Sequence, residues 1–394
     1  MKSMRILLCF ILLLGLLPMQ TTAKEPDVAA TAAILMDAKT GRVLWEKNSN
    51  TPLAMASTTK IMTSILALES GKLDETVTVS RAAAAAPRMK MYLSTGEKIR
   101  LGDLLLALML ESSNDSAVAI AEHLAGNVPA FCAMMTQKAK ELGAKNTIFE
   151  TPNGLDGNEH HSTAYDLALI TRYALEVPGF IQLINTHQAT FSSDTKTYNM
   201  LNKNRLLNEF EGANGVKTGF TNKAGHCFVG AAKRGDMQLI SVVLASGWGD
   251  KGRAQKWVDT KEVLNYGFDN FAYETIIEDN TQAGVISLTR SRTAEVGYVY
   301  TADLTMTLKA DEKSQVEVKV NVPPSIQAPI FEGDILGQAE IYLNGELYAS
   351  IDLAATDNAL RHDFKTSLEK VLNQWLSQVL DEEIELILPE LPLL

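Results

Sequence analysis

The hydrophobic and polar positions of residues 24–272 follow two periods, one helical and one extended. Apolar side chains fill 104–110 and recur through 117–125, which predicts two helices. Residues 227–232 and 239–244 are apolar runs separated by a polar turn, which predicts a β-hairpin. Antiparallel strands beside apolar helices indicate an α+β domain with an antiparallel sheet flanked by helices.

The pattern changes after residue 272. Residues 315–322 alternate strictly between polar and apolar side chains, and Asn344-Gly345 is typical of a tight hairpin turn. We therefore expect a small β-rich domain at 273–356.

The last segment, 357–394, begins with an amphipathic helical pattern. Nine apolar residues between Leu360 and Leu380 fall on one helical face. This face could dock on the β-rich domain, or it could lie in the outer surface of the cytoplasmic membrane. We favour the membrane, with Phe364 and Trp375 at the level of the headgroups.

Residues 1–23 have the features of a secretory signal peptide. Lys2 and Arg5 form a basic start, Ile6–Leu17 is a short apolar stretch, and Thr21-Thr22-Ala23 resembles a cleavage site. An uncleaved anchor is the alternative. We expect a secreted chain that is periplasmic or otherwise extracytoplasmic and attached peripherally to the membrane.

Charge and cysteine content limit the partners and the cross-links. Loss of Lys2 and Arg5 would change the net charge from −11 to −13, which argues against nucleic acid as a partner. Cys132 and Cys227 would remain. One disulfide is possible, but their apolar surroundings favour two buried free thiols.

The string S-x-x-K occurs three times, so its context must decide which copy carries chemistry. Ser57–Lys60 leads into an apolar helical pattern. A serine in the first turn of that helix would lie in the positive field of the helix N-terminus, with Lys60 on the same face. Ser193–Lys196 lies in a polar run that predicts a turn. Ser367–Lys370 lies on the polar side of the C-terminal helix.

The string K-T-G occurs twice and is separated in the same way. Lys39-Thr40-Gly41 lies between two apolar runs and predicts a hairpin turn. Lys217-Thr218-Gly219 leads into Phe220 and predicts the start of a strand, where Gly219 would let a ligand backbone approach.

A serine hydroxyl is a weak nucleophile at neutral pH and needs a base within hydrogen-bond reach. We expect Ser57 to be the nucleophile and Lys60 to be its base. A lysine serves as a base only when it is neutral, which requires burial or a cationic neighbour such as Lys217.

Further polar residues could complete an acyl-transfer site. Ser112 could pass a proton to the leaving amine, and Asn114 could bind the substrate amide. Thr218 and Lys217 could hold a substrate carboxylate. The backbone N–H groups of the nucleophile and of Phe220 could form an oxyanion hole.

Other catalytic classes lack their motifs. The chain contains no G-x-S-x-G and no H-E-x-x-H, and His160-His161 is interpreted as a loop pair. We therefore predict no catalytic metal and no cofactor. We expect Ser162 or Thr163 to cap a helix, with a catalytic role as the alternative.

Taken with these motifs, the chain resembles the low-molecular-mass penicillin-binding proteins of the D-alanyl-D-alanine carboxypeptidase type, serine peptidase family S11. The resemblance extends from Ala32 to about Leu353. Besides the three catalytic strings it rests on the following segments: Asp37–Gly41, Ser80–Ala83, Pro152–Gly157, His161–Ala168 and Ala231–Arg234.

The resemblance implies a transpeptidase/β-lactamase-like catalytic domain at 24–272, a β-rich domain and a membrane-binding tail. It also implies that Arg253 lies near the terminal carboxylate of the substrate, although a surface ion pair is the alternative. Ser113 and Phe220 occupy positions where other residues are common in the family, which could tune substrate preference and deacylation.

The implied activity is removal of the terminal D-alanine from peptidoglycan stem pentapeptides through an acyl-enzyme, with β-lactams as inhibitors. A DD-endopeptidase acting on cross-links needs the same chemistry and stays open. A β-lactamase would not need the appended domain and tail. A non-catalytic wall-binding or penicillin-sensing module is disfavoured because every polar group of the mechanism is present.

Overall fold

A five-stranded antiparallel sheet runs through the N-terminal unit of the computed structural model, which describes residues 24–362 and 364–387. This unit ends at Phe271. Its strands are β1 (Ala32–Asp37), β2 (Val43–Lys47), β3 (Thr76–Thr78), β4 (Lys98–Arg100), β5 (Gln188–Ser192), β6 (Thr197–Leu201), β7 (Ala213–Thr221), β8 (Gly225–Arg234) and β9 (Met237–Leu244). The sheet order is β2-β1-β9-β8-β7, while β3–β4 and β5–β6 form separate ribbons.

Helices cover the sheet, and every residue of β1 is buried as a result. They are α1 (Lys60–Glu69), α2 (Arg81–Ala84), α3 (Leu101–Leu110), α4 (Asn114–Ala125), α5 (Val128–Glu141), α6 (Ala164–Glu176), α7 (Phe180–Ile184), α8 (Leu206–Glu209) and α9 (Gly249–Asn270). The predicted α+β architecture, with an antiparallel sheet flanked by helices, is confirmed.

Two helix boundaries match the sequence signals closely. The side chain of Thr163 accepts a hydrogen bond from the backbone N–H of Asp166 at 3.0 Å and caps α6, as expected of a threonine before an apolar run. Gly126 ends α4 with φ +79°, a left-handed conformation that favours glycine.

Two positions differ from the sequence interpretation. Ser57 lies in a 3-10 turn, Ala56–Thr59, and α1 begins only at Lys60. Lys217 lies in the middle of β7, which begins four residues earlier at Ala213. The first difference matters because side chains three residues apart eclipse in a 3-10 turn, which brings Ser57 and Lys60 to the same side.

The two cysteines within the described residues, Cys132 on α5 and Cys227 on β8, are buried and free, as expected. Burial raises the pKa of Cys132 to about 11 and that of Cys227 to about 12.

The C-terminal unit, which starts at Ala272, consists of strands and one terminal helix. Its strands are β10 (Ala272–Ile277), β11 (Gln282–Thr289), β12 (Glu295–Tyr300), β13 (Leu304–Leu308), β14 (Val316–Asn321), β15 (Ser325–Gln327), β16 (Ile335–Leu343) and β17 (Glu346–Ala355). They form a six-stranded sheet in the order β14-β16-β17-β12-β11-β15, and β10 pairs with β13. The predicted all-β unit is therefore confirmed.

The predicted Asn344-Gly345 turn joins β16 to β17. Both residues have positive φ, +54° and +81°, as a two-residue hairpin turn that follows strand twist requires. The alternating segment forms β14, an edge strand that is exposed along most of its length.

The terminal helix, α10, extends over Phe364–Ile387 and so begins and ends later than the sequence pattern suggested. The apolar side chains from Phe364 to Leu376 are exposed, Phe364 at 83% and Trp375 at 59%. The side chains of Val379 and Leu380, the predicted signal peptide at 1–23 and the end of the tail at 388–394 lie outside the described residues.

No single helix in 24–362 and 364–387 has the length and apolar composition needed to cross a membrane. The consecutive helices α4 and α5 meet those two criteria only as a pair bent by 85°.

Candidate active site

The hydroxyl of Ser57 and the amine of Lys60 are in direct contact. Lys60 Nζ lies 2.9 Å from Ser57 Oγ across the 3-10 turn. Lys60 is fully buried at the start of α1, where the apolar residues that follow it pack into the core. The turn thus joins a nucleophile at the surface of a cleft to an amine beneath it.

Two further oxygens surround the Lys60 amine. Nζ donates to Asn114 Oδ1 at 2.9 Å and to the backbone carbonyl of Asn153 at 2.5 Å. Ser57 Oγ is 3.3 Å from the same Asn153 carbonyl. Lys60 therefore has three polar neighbours, of which two can only accept hydrogen bonds and one is a hydroxyl.

Burial lowers the pKa of Lys60 well below its usual value, and the charge of Lys217 lowers it further, while Asp115 opposes both effects. Burial also lowers the pKa of Lys217 to about 7. Lys217 is 3% exposed, and its Nζ donates to the carbonyl of Thr218 at 3.3 Å. Burial and the nearby charge of Lys217 both disfavour the ammonium form of Lys60, so its neutral amine is more accessible than that of a solvent-exposed lysine.

Asn114 is the first residue of α4, and protein groups bind both N–H donors and the oxygen of its amide. Its Nδ2 donates to the carbonyls of Pro87 at 3.2 Å and Arg88 at 2.9 Å, which leaves Oδ1 for Lys60. Asn114 thereby orients the Lys60 amine. Its predicted contact with the substrate amide stays a prediction.

Three residues close to Asn114 in the sequence also contribute to the site. Ser112 lines the cleft and has a positive φ of +66°, which is strained for a serine. The hydroxyl of Ser113 is buried and has no hydrogen-bond partner among residues 24–362 and 364–387. Asp115 accepts from the backbone N–H groups of Met91 and Leu93, both at 3.1 Å, and so fixes the loop above the site.

Gly219 is needed for packing within the chain. A Cβ at this position would lie 2.9 Å from the backbone nitrogen of Ser57 and 3.1 Å from the carbonyl of Met55. Its missing side chain lets β7 lie directly against the turn that carries Ser57. The structure shows close approach of the nucleophile's own backbone, and the close approach of a ligand that the sequence suggested stays a prediction.

These elements enclose a cleft of about 430 Å³. It is lined by Ser57, Met89, Glu111, Ser112, Lys203, Arg205, Thr218, Gly219, Phe220, His226, Gly249, Arg253, Lys256 and Trp257. Among the predicted residues, Lys60, Asn114 and Lys217 are not part of this lining. The lining and the buried groups beneath it together form one site.

Phe220, on β7, and Arg253, on α9, both line the cleft. The Phe220 ring is 45% exposed and stacks on His226 with ring centroids 4.3 Å apart. Arg253 lines the cleft and also lies 3.5 Å from the Asp250 carboxylate, so both sequence interpretations of this arginine have a structural basis.

His160 contacts the 3-10 turn that carries Ser57. Its interpretation as one of a loop pair did not predict this contact. Its Nδ1 accepts from the backbone N–H of Glu150 at 3.0 Å, so Nε2 carries the proton and donates to Thr59 Oγ1 at 2.9 Å. Burial lowers the pKa of His160 to about 4. The histidine is therefore neutral at physiological pH.

The other motif copies lie elsewhere. Ser193–Lys196 forms the turn between β5 and β6, and Lys39-Thr40-Gly41 forms the turn between β1 and β2. Ser367 lies on α10, and the side chain of Lys370 is outside the described residues.

Comparison with known proteins points to one family. Residues 19–247 match the family model described as D-alanyl-D-alanine carboxypeptidase, and residues 271–359 match the model described as penicillin-binding protein 5, C-terminal domain.

Individual relatives agree with the family models. The chain is 31% identical to the D-alanyl-D-alanine carboxypeptidase DacF of Bacillus subtilis over 353 residues, which is 88% of this chain and 90% of that protein. It is also 31% identical to DacC of Escherichia coli, over 86% of each chain.

Solved structures give the same result. Penicillin-binding protein 5 of Haemophilus influenzae matches with a TM-score of 0.73 and 29% identity, over 86% of this chain and all of that one. The carboxypeptidase DacD of Francisella tularensis matches with a TM-score of 0.71 and 26% identity, over 88% and 98% of the two chains.

Proposed function

Because the chain belongs to the D-alanyl-D-alanine carboxypeptidase family, as its motifs predicted, we propose that its reaction proceeds through an acyl-enzyme on Ser57. The protein is a serine-type D-Ala-D-Ala carboxypeptidase with the penicillin-binding protein fold. Its substrates are peptidoglycan stem peptides, and β-lactams are its inhibitors.

The contacts of Lys60 carry the proposed mechanism. A neutral amine has two N–H donors and one lone pair. Asn114 Oδ1 and the Asn153 carbonyl take the two donors, so the lone pair is left for the Ser57 hydroxyl at 2.9 Å. The arrangement fits a neutral base that accepts the serine proton.

In acylation, Ser57 Oγ bonds to the carbonyl carbon of the penultimate D-alanine while its proton moves to Lys60 Nζ. The oxyanion is stabilised by the backbone N–H groups of Ser57 and Phe220. The carbon–nitrogen bond then breaks, and the proton passes from Lys60 through the Ser112 hydroxyl to the leaving amine. Thr218 and Arg253 hold the terminal carboxylate.

In deacylation, a water molecule attacks the ester carbonyl and gives a proton to Lys60. The bond between the carbonyl carbon and Ser57 Oγ breaks, and Lys60 returns the proton to that oxygen. A β-lactam acylates Ser57 by opening its ring, so the leaving nitrogen stays tethered and slows the attack by water.

Product analysis and active-site labelling test this proposal. We expect release of D-alanine from a purified pentapeptide, and we expect mass spectrometry of a penicillin adduct to place the label on the peptide that contains Ser57. Release of cross-linked peptide from dimeric muropeptides without D-alanine release would support an endopeptidase. A label on Ser193 or Ser367 would contradict the choice of nucleophile.

The domains and the location belong to the same proposal. We assign residues 24–272 to catalysis, 273–356 to a β-rich domain and 357–394 to a membrane anchor, after export directed by residues 1–23. The apolar side chains of α10 between Phe364 and Leu376 support the anchor, because they are exposed to solvent.

Truncation after Ala359 tests the anchor. We expect the truncated protein to stay in solution when vesicles are pelleted, and to hydrolyse a soluble peptide at the original rate. Binding of the full chain should depend weakly on salt, because basic and acidic residues nearly balance in this segment. A truncated protein that still pellets with vesicles would refute the anchor.

A further inference from the structure

A buried lysine that no step above uses forms part of the cleft wall. Lys256 lies on α9, is 5% exposed and lines the same cleft as Ser57. Its Nζ donates to the carbonyl of Arg253 at 2.9 Å and lies 4.7 Å from the centroid of the Trp257 ring. An ammonium has three N–H donors, so one hydrogen bond leaves it incompletely satisfied.

The other cations of the cleft wall each have an acidic partner. Lys203 lies 3.6 Å from Glu111, and Arg253 lies 3.5 Å from Asp250. Arg205 is paired with Glu209. Within the described ranges, no carboxylate lies within 4.0 Å of Lys256 Nζ.

Burying the Lys256 ammonium without a counter-charge costs free energy, and an anion that enters the cleft would reduce this cost. The other buried lysines of the site, Lys60 and Lys217, do not line the cleft. Lys256 is therefore the buried cation that an anionic group in the cleft meets first.

We propose that Lys256, together with Arg253, binds the terminal carboxylate of the substrate and selects acyl donors that end in a free carboxylate. The inference rests on the proposed carboxypeptidase function and deepens it. Arg253 approaches the carboxylate from the exposed rim, and Lys256 approaches it from the floor, so the two cations hold it between them.

The same geometry makes binding of the substrate carboxylate depend on the protonation state of Lys256. Burial and the charges of Arg253 and Arg205 lower the pKa of Lys256 to about 8. The other titratable groups that face it are His226, whose pKa is lowered, and Cys227, whose pKa is raised. A bound carboxylate favours the ammonium form, so binding should weaken as the pH rises above about 8.

The test uses the whole protein and two acyl donors that differ at one group. One is a peptide ending in D-Ala-D-Ala with a free carboxylate, and the other is its C-terminal methyl ester. The variants are Lys256→Met, which keeps the length and apolar stem, Lys256→Arg, which keeps the charge, and Lys251→Met. Lys251 is an exposed lysine on the same helix, so its variant controls for loss of one positive charge.

For Lys256→Met we expect kcat/KM on the acid to fall about 10- to 100-fold, mainly through KM, as expected for loss of a charge-assisted hydrogen bond. The ester should change by less than about threefold. Lys251→Met should behave like the original protein on both donors. Lys256→Arg should keep most of the affinity for the acid and should lose the rise in KM above pH 8, because arginine stays charged.

Two results would overturn the inference. An equal loss on acid and ester would show that Lys256 only supports the fold of the cleft, and unchanged kinetics in Lys256→Met would show that it does not contact the carboxylate. Failure of the original protein to release D-alanine from the acid would instead refute the proposed function, so the two failures are distinguishable.

Discussion

Ser57–Lys60 and Ser193–Lys196 have the same spacing and opposite surroundings. Lys60 is fully buried, and its amine contacts a hydroxyl, an amide oxygen and a carbonyl. Lys196 is partly exposed, donates to the carbonyl of Tyr92 at 2.5 Å and lies 3.7 Å from the Glu97 carboxylate.

This difference in surroundings determines the protonation state of the lysine amine. A carboxylate partner and solvent both favour an ammonium, which has no lone pair to take a proton from a serine. Burial without a carboxylate partner favours the neutral amine. The S-x-x-K motif supplies a serine and a lysine in both places, and burial makes the lysine a base in only one of them.

The two K-T-G segments show the same contrast. Lys217 is buried in the middle of β7, close enough to Lys60 to affect its pKa. Lys39 is exposed in the turn between β1 and β2. Only the first of these lysines is placed to influence the proposed nucleophile.

The largest expected effect is that of Ser57→Ala. Removing the hydroxyl removes the atom that forms the ester, so penicillin labelling and D-alanine release should both fall below detection. The thermal unfolding temperature should be nearly unchanged, because one small polar atom is lost. A labelled protein that lacks Ser57 would show that another serine is acylated.

Lys60→Met and Lys196→Met form a matched pair that tests the comparison directly. Loss of the buried base should slow acylation about 10²- to 10⁴-fold. Loss of the surface lysine should change it by less than about twofold, since exposed ion pairs contribute little. The measurement is the rate of labelling by a fluorescent penicillin. Similar rates in the two variants would contradict the role of burial.

A smaller effect is expected in the pH dependence of acylation. The rate should rise with pH as Lys60 loses its proton, through a pKa well below the usual lysine value. Lys217→Met removes a charge that lowers this pKa, so the rise should move to higher pH. A shift to lower pH, or a rate independent of pH in the original protein, would count against Lys60 as the base.

The smallest effect is expected for Lys39→Ala. This lysine is exposed in a turn that Asp37 stabilises by accepting from the backbone N–H of Thr40 at 2.8 Å. Acylation should stay within about 1.5-fold of the original rate, as is usual for surface substitutions. A tenfold loss would show that the wrong K-T-G segment has been assigned to the site.

Much of the fold and part of the site could be predicted from local sequence. Apolar periodicity gave the helices and the central hairpin, and Asn344-Gly345 gave a turn that its backbone angles confirm. Ser57 and Lys60 could be paired because they lie only three positions apart, within about one turn of the chain.

Other contacts of the site could not be predicted, because nothing in the nearby sequence indicates them. The Asn153 carbonyl is a backbone group, so no side-chain type indicates that it binds Lys60. His160 reaches Thr59 from about a hundred residues away, and Lys256 differs from a surface lysine only through its burial. Such partners depend on how distant loops pack, which periodicity does not report.

The two cysteines have a practical consequence. With pKa values of about 11 and about 12, fewer than about one in 10³ of these thiols is a thiolate at pH 7. Alkylating dyes and spin labels react with thiolates, so the folded protein offers them little background at Cys132 and Cys227. A cysteine introduced on the rim of the cleft, or on the exposed face of α10, would be labelled selectively, and distances in the working protein could be followed without first replacing Cys132 and Cys227.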